Sequence, residues 1–338
     1  MRVWLRKTTL TKLSIYNTVL LIAISLVQSY LGEKTFGSML LTYTPQHWLG
    51  IPAIPLLLSS LFRQQWKPLA INILAFGFFV LVLMNYRINL SGQPDPRVRP
   101  LRVMTYNMLV ELRGVQNVVK TIHDQNPDIV CLQECAANGW DPDGTASPEL
   151  RAGLKGYDIQ THNQILIAVR HPLKIVNKRV HPMPFSPERR ALLDCEVDLG
   201  GTRIRVINLH LIPISYSETM VRHSYFSQSD MSDAARNRRA QIQELISVVD
   251  RTQGRLIVCG DFNMPAKGWL YRKLTSRLTD SFAETGLGLG YTCPDDIPTR
   301  RIDHILVRGF TPLKACVPVS HASDHRPMVA TVYPGQKS

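Results

Sequence analysis

The distribution of apolar residues changes character near residue 90. Before it, apolar runs are long and almost uncharged; after it, they shorten to five or six residues separated by polar turns. Segments 13–31, 39–62 and 68–84 belong to the first regime, and each has the length and apolarity of a membrane-crossing helix. The middle one carries Pro45, Pro52 and Pro55, which interrupt helical hydrogen bonding. The pattern predicts a membrane anchor over residues 1–90 with three transmembrane helices. No small-x-small cleavage site follows the first segment, which argues against a removable leader. Ser91-Gly92-Gln93-Pro94-Asp95-Pro96 reads as the core of a linker over 91–100.

In the second regime, strands are predicted at 101–106, 129–133, 157–161, 165–170, 174–180, 191–197, 203–209, 255–259, 302–307, 313–317 and 328–332. Helices are predicted at 115–125, 234–251 and 268–277; in the second of these Ile242, Leu245, Ile246 and Val249 form an apolar stripe. Several strands follow one another without an intervening helix. That excludes a simple βαβ array and favours two packed sheets with outer helices, within a domain covering 101–333.

Charge changes the picture less than its total suggests. The formal net charge is +13, but residues 1–100 hold ten Lys/Arg against two Asp/Glu, leaving 29 against 24 for residues 101–338. The excess sits mainly beside the apolar segments, where it sets membrane orientation. Basic residues flank the N-terminus and the 63–67 link, whereas the 32–38 link has only Lys34 against Glu33. Three crossings then make this a multi-pass protein of the cell membrane with its larger domain on the extracytoplasmic side. The apolar segments carry no internal charge, which argues against a transporter. The six cysteines form no CxxC pair and have no metal-ligand spacing.

Candidate chemistry collects at the ends of predicted strands. Leu256-Ile257-Val258-Cys259 runs into Gly260-Asp261-Phe262-Asn263, a glycine turn exposing a carboxylate and a carboxamide two residues apart. The run 102–106 ends on Asn107, and 129–133 delivers Glu134 at its tip; a carboxylate in such a place calls for a cation, and oxygen ligation suits Mg²⁺. The strand 203–209 ends at His210. Asp303 would be a half-buried acid inside a strand, where orienting an imidazole is a common pairing, and Asp324-His325 precede the last strand.

Taken in order, Asn107, Gln133-Glu134, Asn208-x-His210, Gly260-Asp261-x-Asn263, Arg301-x-Asp303-His304 and Ser323-Asp324-His325 resemble the motifs of the endonuclease/exonuclease/phosphatase (DNase-I-like) family, in a membrane-anchored bacterial form. The resemblance implies an α/β fold, a four-layer sandwich of two packed β-sheets flanked by helices. It implies a metal-dependent hydrolase acting on ester bonds, whether phosphodiesterase, phosphatase or nuclease. By position, Glu134, Asn107 and Asp324 would hold Mg²⁺, with Mn²⁺ the alternative. Asp261 would orient or deprotonate the attacking water, Asn263 would hold water and phosphate, and His210 and His325 would donate to phosphate oxygens while Asp303 fixes the His325 tautomer. Leu109 stands where many of the family's nucleases have a second polar residue, which favours one metal over two.

Substrate contacts are expected from Arg190, Arg236 and Arg239, and from a lid over 211–233 rich in Tyr, Phe and Met. A membrane anchor favours a lipid-linked phosphate or pyrophosphate. Nucleic acid is the rival substrate, disfavoured by the modest charge of residues 101–338 and the lack of a basic–aromatic stripe. A catalytically silent binding domain on the same fold is the reading from another class.

Overall fold

The computed structural model describes residues 7–88, 99–135, 146–186, 190–213 and 228–335. The N-terminal part comprises α1 (Lys7–Tyr30), α2 (Phe36–Tyr43), α3 (Ala53–Phe62) and α4 (Trp66–Phe78). The catalytic-domain candidate follows as β1 (Leu101–Asn107), α5 (Val115–Gln125), β2 (Ile129–Gln133), α6 (Pro148–Gly153), β3 (Tyr157–His162), β4 (Ile165–Arg170), β5 (Lys174–Pro182), β6 (Ala191–Asp198) and β7 (Arg203–His210). It continues as α7 (Gln228–Arg251), β8 (Leu256–Asp261), α8 (Trp269–Thr275), β9 (Thr279–Asp280), α9 (Ser281–Thr285), β10 (Asp303–Arg308), β11 (Phe310–Cys316) and β12 (Met328–Pro334).

The strands form two six-stranded mixed sheets, ordered β11-β12-β1-β2-β4-β3 and β5-β6-β7-β8-β10-β9. Strand periodicity separates their faces. In β1, β2 and β8 the residues Val103, Ile129, Cys131, Ile257 and Cys259 fill the core between the sheets. Their neighbours Met104, Val130 and Leu132 face α5 and α6, and Leu256 and Val258 face α7 and α8. The result is helices, sheet, sheet, helices. All six cysteines are free thiols.

The N-terminal segment departs from expectation. Among the described residues two helices, Thr8–Tyr30 and Trp66–Leu83, are long and apolar enough to cross a membrane, not three. The 39–62 segment is α2, a 3₁₀ turn over Gln46–Gly50 and the ten-residue α3. Pro45 and Pro52 stand at the starts of the 3₁₀ turn and of α3, where a ring without an N–H ends a continuous helix. The surfaces of both long helices present exposed apolar side chains, Leu74 at 74% among them.

Polar contacts fix the direction of each pass. Asn72 Nδ2 donates to Ser14 Oγ (3.0 Å) and Ser60 Oγ (2.9 Å), placing the early part of α1, the end of α3 and the early part of α4 at one level. Gln28 near the end of α1 donates to Gln46 Oε1 at 2.8 Å, and Leu21 packs with Ala75, Phe79 and Leu83. Thus α1 and α4 run parallel, and the chain returns between them through α3. The start of α1 and the 63–65 link lie at one end. At the other end, Asn85 Nδ2 donates to Ala266 O (3.3 Å), Lys267 donates to Leu83 O, and Arg87 pairs with Gly288.

Most of the 91–100 linker and residues 214–227 of the expected lid lie outside the described residues. The remainder of that lid is partly helical, because α7 begins at Gln228.

Candidate active site

The site is the polar top of the inter-sheet core. Asn107, His210, Asp261 and Asp303 each continue the inward-facing alternation of their strands, at the point where the apolar filling stops. Pairing brings them side by side: His210 lies in register with Asp261 on parallel β7 and β8, and Asp303 with Asp261 on antiparallel β8 and β10. On the facing sheet, Asn107 pairs with Gln133, and Glu134 follows. Gly260 permits the close approach of β7 and β8. Its φ is +146°, and a Cβ there would lie 2.0 Å from Leu209 O.

A buried amide layer beneath the site joins the two sheets. Gln133 Nε2 donates to Asn208 Oδ1 at 2.7 Å, and Asn208 Nδ2 donates to Leu132 O and Leu166 O at 2.8 and 2.9 Å. Every one of these groups is shut away from water, so their mutual bonding fixes the spacing of the sheets under the site.

Asp261 Oδ2 is the focus of the site. Asn107 Nδ2 and Asn263 Nδ2 each donate to it at 3.2 Å, and the Nε2 atoms of His210 and His325 lie 3.5 and 3.8 Å away. The other oxygen accepts the backbone N–H of Asn263 at 2.8 Å. Asn107 Nδ2 also reaches Glu134 Oε1 (3.0 Å), which stands 3.7 Å from His210 Nε2. His325 Nδ1 pairs with Asp303 Oδ2 at 2.8 Å. Glu134 and Asn263 hold φ of 53° and 45°, and Leu109, Val110 and Glu111 after Asn107 are also left-handed. Such backbone costs roughly 1–3 kcal/mol per residue and persists where surrounding contacts enforce it.

Electrostatics divide the titratable groups. Burial, reinforced by Asp303 and opposed by His325, raises the Asp261 carboxyl to about 7. Burial also disfavours a charged His325, but Asp303 and Asp261 outweigh it and push that imidazole well above its ordinary value. His210 goes the other way: burial, then the charges of Arg190 and His325, hold it well below, so it is neutral at pH 7. A weakly acidic carboxylic acid, a cationic imidazole and a neutral imidazole thus share one cleft.

The donor set fits a hard divalent cation. Glu134 and Asp261 converge on a single Asn107 amide group, Asp303 Oδ1 is buried without a hydrogen-bond partner, and Asp261, Asp303 and His325 offer atoms all within 4.8 Å of one another. Asn107 Oδ1 accepts the Leu109 N–H at 3.0 Å.

The other expected residues make contacts of their own. Asp324, next to His325 in the chain, accepts from Ser323 Oγ at 3.2 Å. Arg236 pairs with Asp233, and Arg239 Nη1 donates to Glu33 O at 2.6 Å; neither faces the cleft contacts described above. Arg190 stands closer, with Nη1 on Leu211 O at 3.1 Å and its charge felt by His210. Arg238, which the sequence groups with Arg236 and Arg239 at the start of the helix as anion-facing or solvated, is 2% exposed and donates to Phe262 O at 2.6 Å and to Ile212 O. It precedes Ile242 by four residues, on the buried stripe of α7. His304 has the opposite strand parity from Asp303 and is buried beside Phe262 and Tyr271, with Nε2 on Met264 O at 2.9 Å.

The profile of the Endonuclease/Exonuclease/phosphatase family matches residues 104–325. The chain is similar to UPF0294 proteins: 23% identical over 264 residues to one from Vibrio vulnificus strain YJ016, covering 75% of this chain and 84% of that protein. One from Yersinia pseudotuberculosis strain IP 31758 is 24% identical over 254 residues, covering 72% and 87%. Among solved structures, an endonuclease/exonuclease/phosphatase family protein from Bacteroides thetaiotaomicron matches with a TM-score of 0.53 at 18% identity, covering 71% of this chain and all of that one. The mannosyl-6-phosphatase Bt3783 of the same organism gives 0.52 at 19%, covering 69% and 99%. The human Nocturnin catalytic domain with bound sulfate gives 0.51 at 17%, covering 72% and 95%. At these identities the likeness is one of fold.

Proposed function

This chain belongs to the Endonuclease/Exonuclease/phosphatase family, and from that premise we propose that it is a membrane-anchored, Mg²⁺-dependent phosphoester hydrolase. Residues 1–90 are its anchor and 101–333 its catalytic domain. The observation that carries the reading is the convergence of Asn107, His210, Asn263 and His325 nitrogens on Asp261 Oδ2. Donors so aimed suit a phosphate oxygen, and the carboxylate among them suits a water.

Asp261, with a carboxyl near 7, takes the proton of a water attacking phosphorus in line, and the Asn263 amide holds both partners. His325 donates through Nε2 as a cation whose Nδ1 is fixed by Asp303; His210 donates as a neutral imidazole. Glu134 and Asn107 would hold Mg²⁺, which when bound supplies charge stabilisation at the phosphoryl oxygens. Arg190 is the arginine placed to extend toward the substrate.

The substrate we assign is a phosphoester or pyrophosphate carried on a membrane lipid. Two helices of spanning length support membrane insertion, and the near-balance of charge in residues 101–338 gives little purchase on a nucleic acid backbone. The bundle end away from the catalytic domain carries Lys12, Arg63 and Lys67. The positive-inside rule then puts that end in the cytoplasm and the catalytic domain outside. The test is Mg²⁺-dependent phosphate release by the full-length protein in detergent, across lipid phosphates, lipid pyrophosphates, nucleotides and plasmid DNA, with Asp261→Ala as control. Turnover of lipid substrates by wild type alone upholds the proposal. Turnover confined to DNA would make the protein a nuclease, and no turnover of any substrate would make it a binding domain.

A further inference from the structure

The turn that ends α1 is built into the core beneath the loop that follows Asp261. Glu33 is fully buried and is the only acidic residue among the first 94. Its Oε2 accepts the Leu270 N–H at 3.1 Å, at the start of α8, where the N-cap residue Gly268 supplies no capping side chain. The Glu33 carbonyl accepts from Arg239 at 2.6 Å. The fit leaves no slack: a Cβ on Gly32 would lie 2.4 Å from Trp269 N, and one on Gly268 would lie 2.8 Å from Glu33 Oε1. Next in the chain, Met39 and Tyr43 of α2 belong to the same buried cluster as Phe262 and Met264.

Arg238 stands between this turn and the site. Its guanidinium binds Phe262 O, one residue after Asp261, and Ile212 O, two residues after His210. It therefore ties together the two segments leaving adjacent strand ends. Its charge lies in the fields of Asp261 and Glu33. Arg238 thus holds the near end of the loop at Phe262, and Glu33 holds the far end at Leu270.

We propose that Glu33 is a positioning residue of the active site: through the start of α8 it holds the far end of the 262–268 loop, whose near end Arg238 ties at Phe262, and so keeps Asp261 and Asn263 in working geometry. The anchor then completes the site instead of merely tethering it. This rests on the hydrolase reading above for its kinetic consequence, but not for its structural one.

The test compares Glu33→Gln, Glu33→Asp and wild type as full-length protein in detergent with Mg²⁺. Turnover of bis(4-nitrophenyl) phosphate and amide hydrogen exchange over residues 262–270 are both measured. Glutamine keeps an oxygen within reach of Leu270 N; aspartate keeps the charge but is one methylene shorter. Glu33→Asp lowers kcat about ten- to a hundred-fold with KM within two-fold, and speeds exchange over 262–270. Glu33→Gln stays within about five-fold of wild type. Wild-type kcat and exchange in Glu33→Asp overturn the proposal. Equal losses in both variants, matched by equal losses of Tm, also overturn it, because they mark a purely structural role. If wild type itself hydrolyses nothing, exchange decides alone: faster exchange in Glu33→Asp upholds positioning while the hydrolase reading falls.

Discussion

Asp261 and Asp303 face each other in register across antiparallel β8 and β10, and His325 touches both, with Nδ1 2.8 Å from Asp303 and Nε2 3.8 Å from Asp261. Two buried carboxylates share one imidazolium, and only Asp303 holds it by a short hydrogen bond. In the proposed reaction Asp303 would therefore orient the imidazole, while Asp261 keeps an oxygen for the attacking water. Asp261→Ala and His325→Ala are each expected to lower kcat by about a hundred-fold or more. Circular dichroism of both variants should match wild type, since the apolar core between the sheets is untouched. Turnover within ten-fold of wild type in either variant would refute the assignment.

The same trio sets the pH dependence. With the Asp261 carboxyl at about 7, the base is active only when ionised, so log(kcat/KM) should rise with unit slope below that pH and level off above it. His325 holds the Asp261 value down, so Glu or Gln in its place removes a lowering influence. The residual activity of His325→Gln should therefore rise at higher pH than that of wild type. A profile flat from pH 5 to 8, or one that moves downward in the variant, contradicts the role given to Asp261.

How much of this was legible follows from strand alternation. In Val103, Thr105, Asn107 and in Ile257, Cys259, Asp261 the period of two carries apolar inward positions into polar ones, so strand tips and site candidates emerge together from the sequence. The same parity sets His304 apart from Asp303, and it is buried under α8. Three features were not legible. Segment 39–62 has membrane-like composition, but composition does not show where prolines divide a helix. Asp324 adjoins His325 in sequence, and its hydrogen bond to Ser323 Oγ is a turn contact that the run of residue types does not encode. Glu33 meets Leu270 across 237 residues, and no local pattern encodes that contact.

Glu134 and Asn107, which would hold the proposed cation, enter the site from the sheet opposite Asp261, at the rim of the two sheets. Chelation should stop turnover without unfolding the protein, because three apolar clusters and the Gln133–Asn208 layer hold the sandwich beneath. Glu134→Gln is expected to raise the Mg²⁺ concentration for half-maximal activity at least ten-fold. Titrating Mg²⁺ into both proteins checks this; equal midpoints would remove Glu134 from the metal site.

Arg301 lies in the family-like Arg-x-Asp-His run, two residues before Asp303, yet it serves the fold. It is 3% exposed, and its Nη1 reaches Asp280 Oδ2 at 2.8 Å and His304 Nδ1 at 3.1 Å. Asp280 also accepts from Tyr271 Oη at 2.5 Å and caps α9 through the Phe282 and Ala283 N–H groups. Burial alone would raise the Asp280 carboxyl, but Arg301 and His304 outweigh it and drive it far below the ordinary value. Its stabilising contribution is thus complete above the unfolded carboxyl pKa of about 4 and is lost as pH falls through the lower folded value. Arg301→Leu strands that carboxylate in the interior, which costs about 3–5 kcal/mol at pH 7. Without Arg301 the folded value of Asp280 rises, so the deficit relative to wild type shrinks as acid protonates that carboxylate. Denaturant unfolding of both proteins at pH 7 and pH 4 measures the effect. A deficit that is equal at the two pH values would show that lost packing around Arg301, not the unpaired buried charge of its partner, dominates.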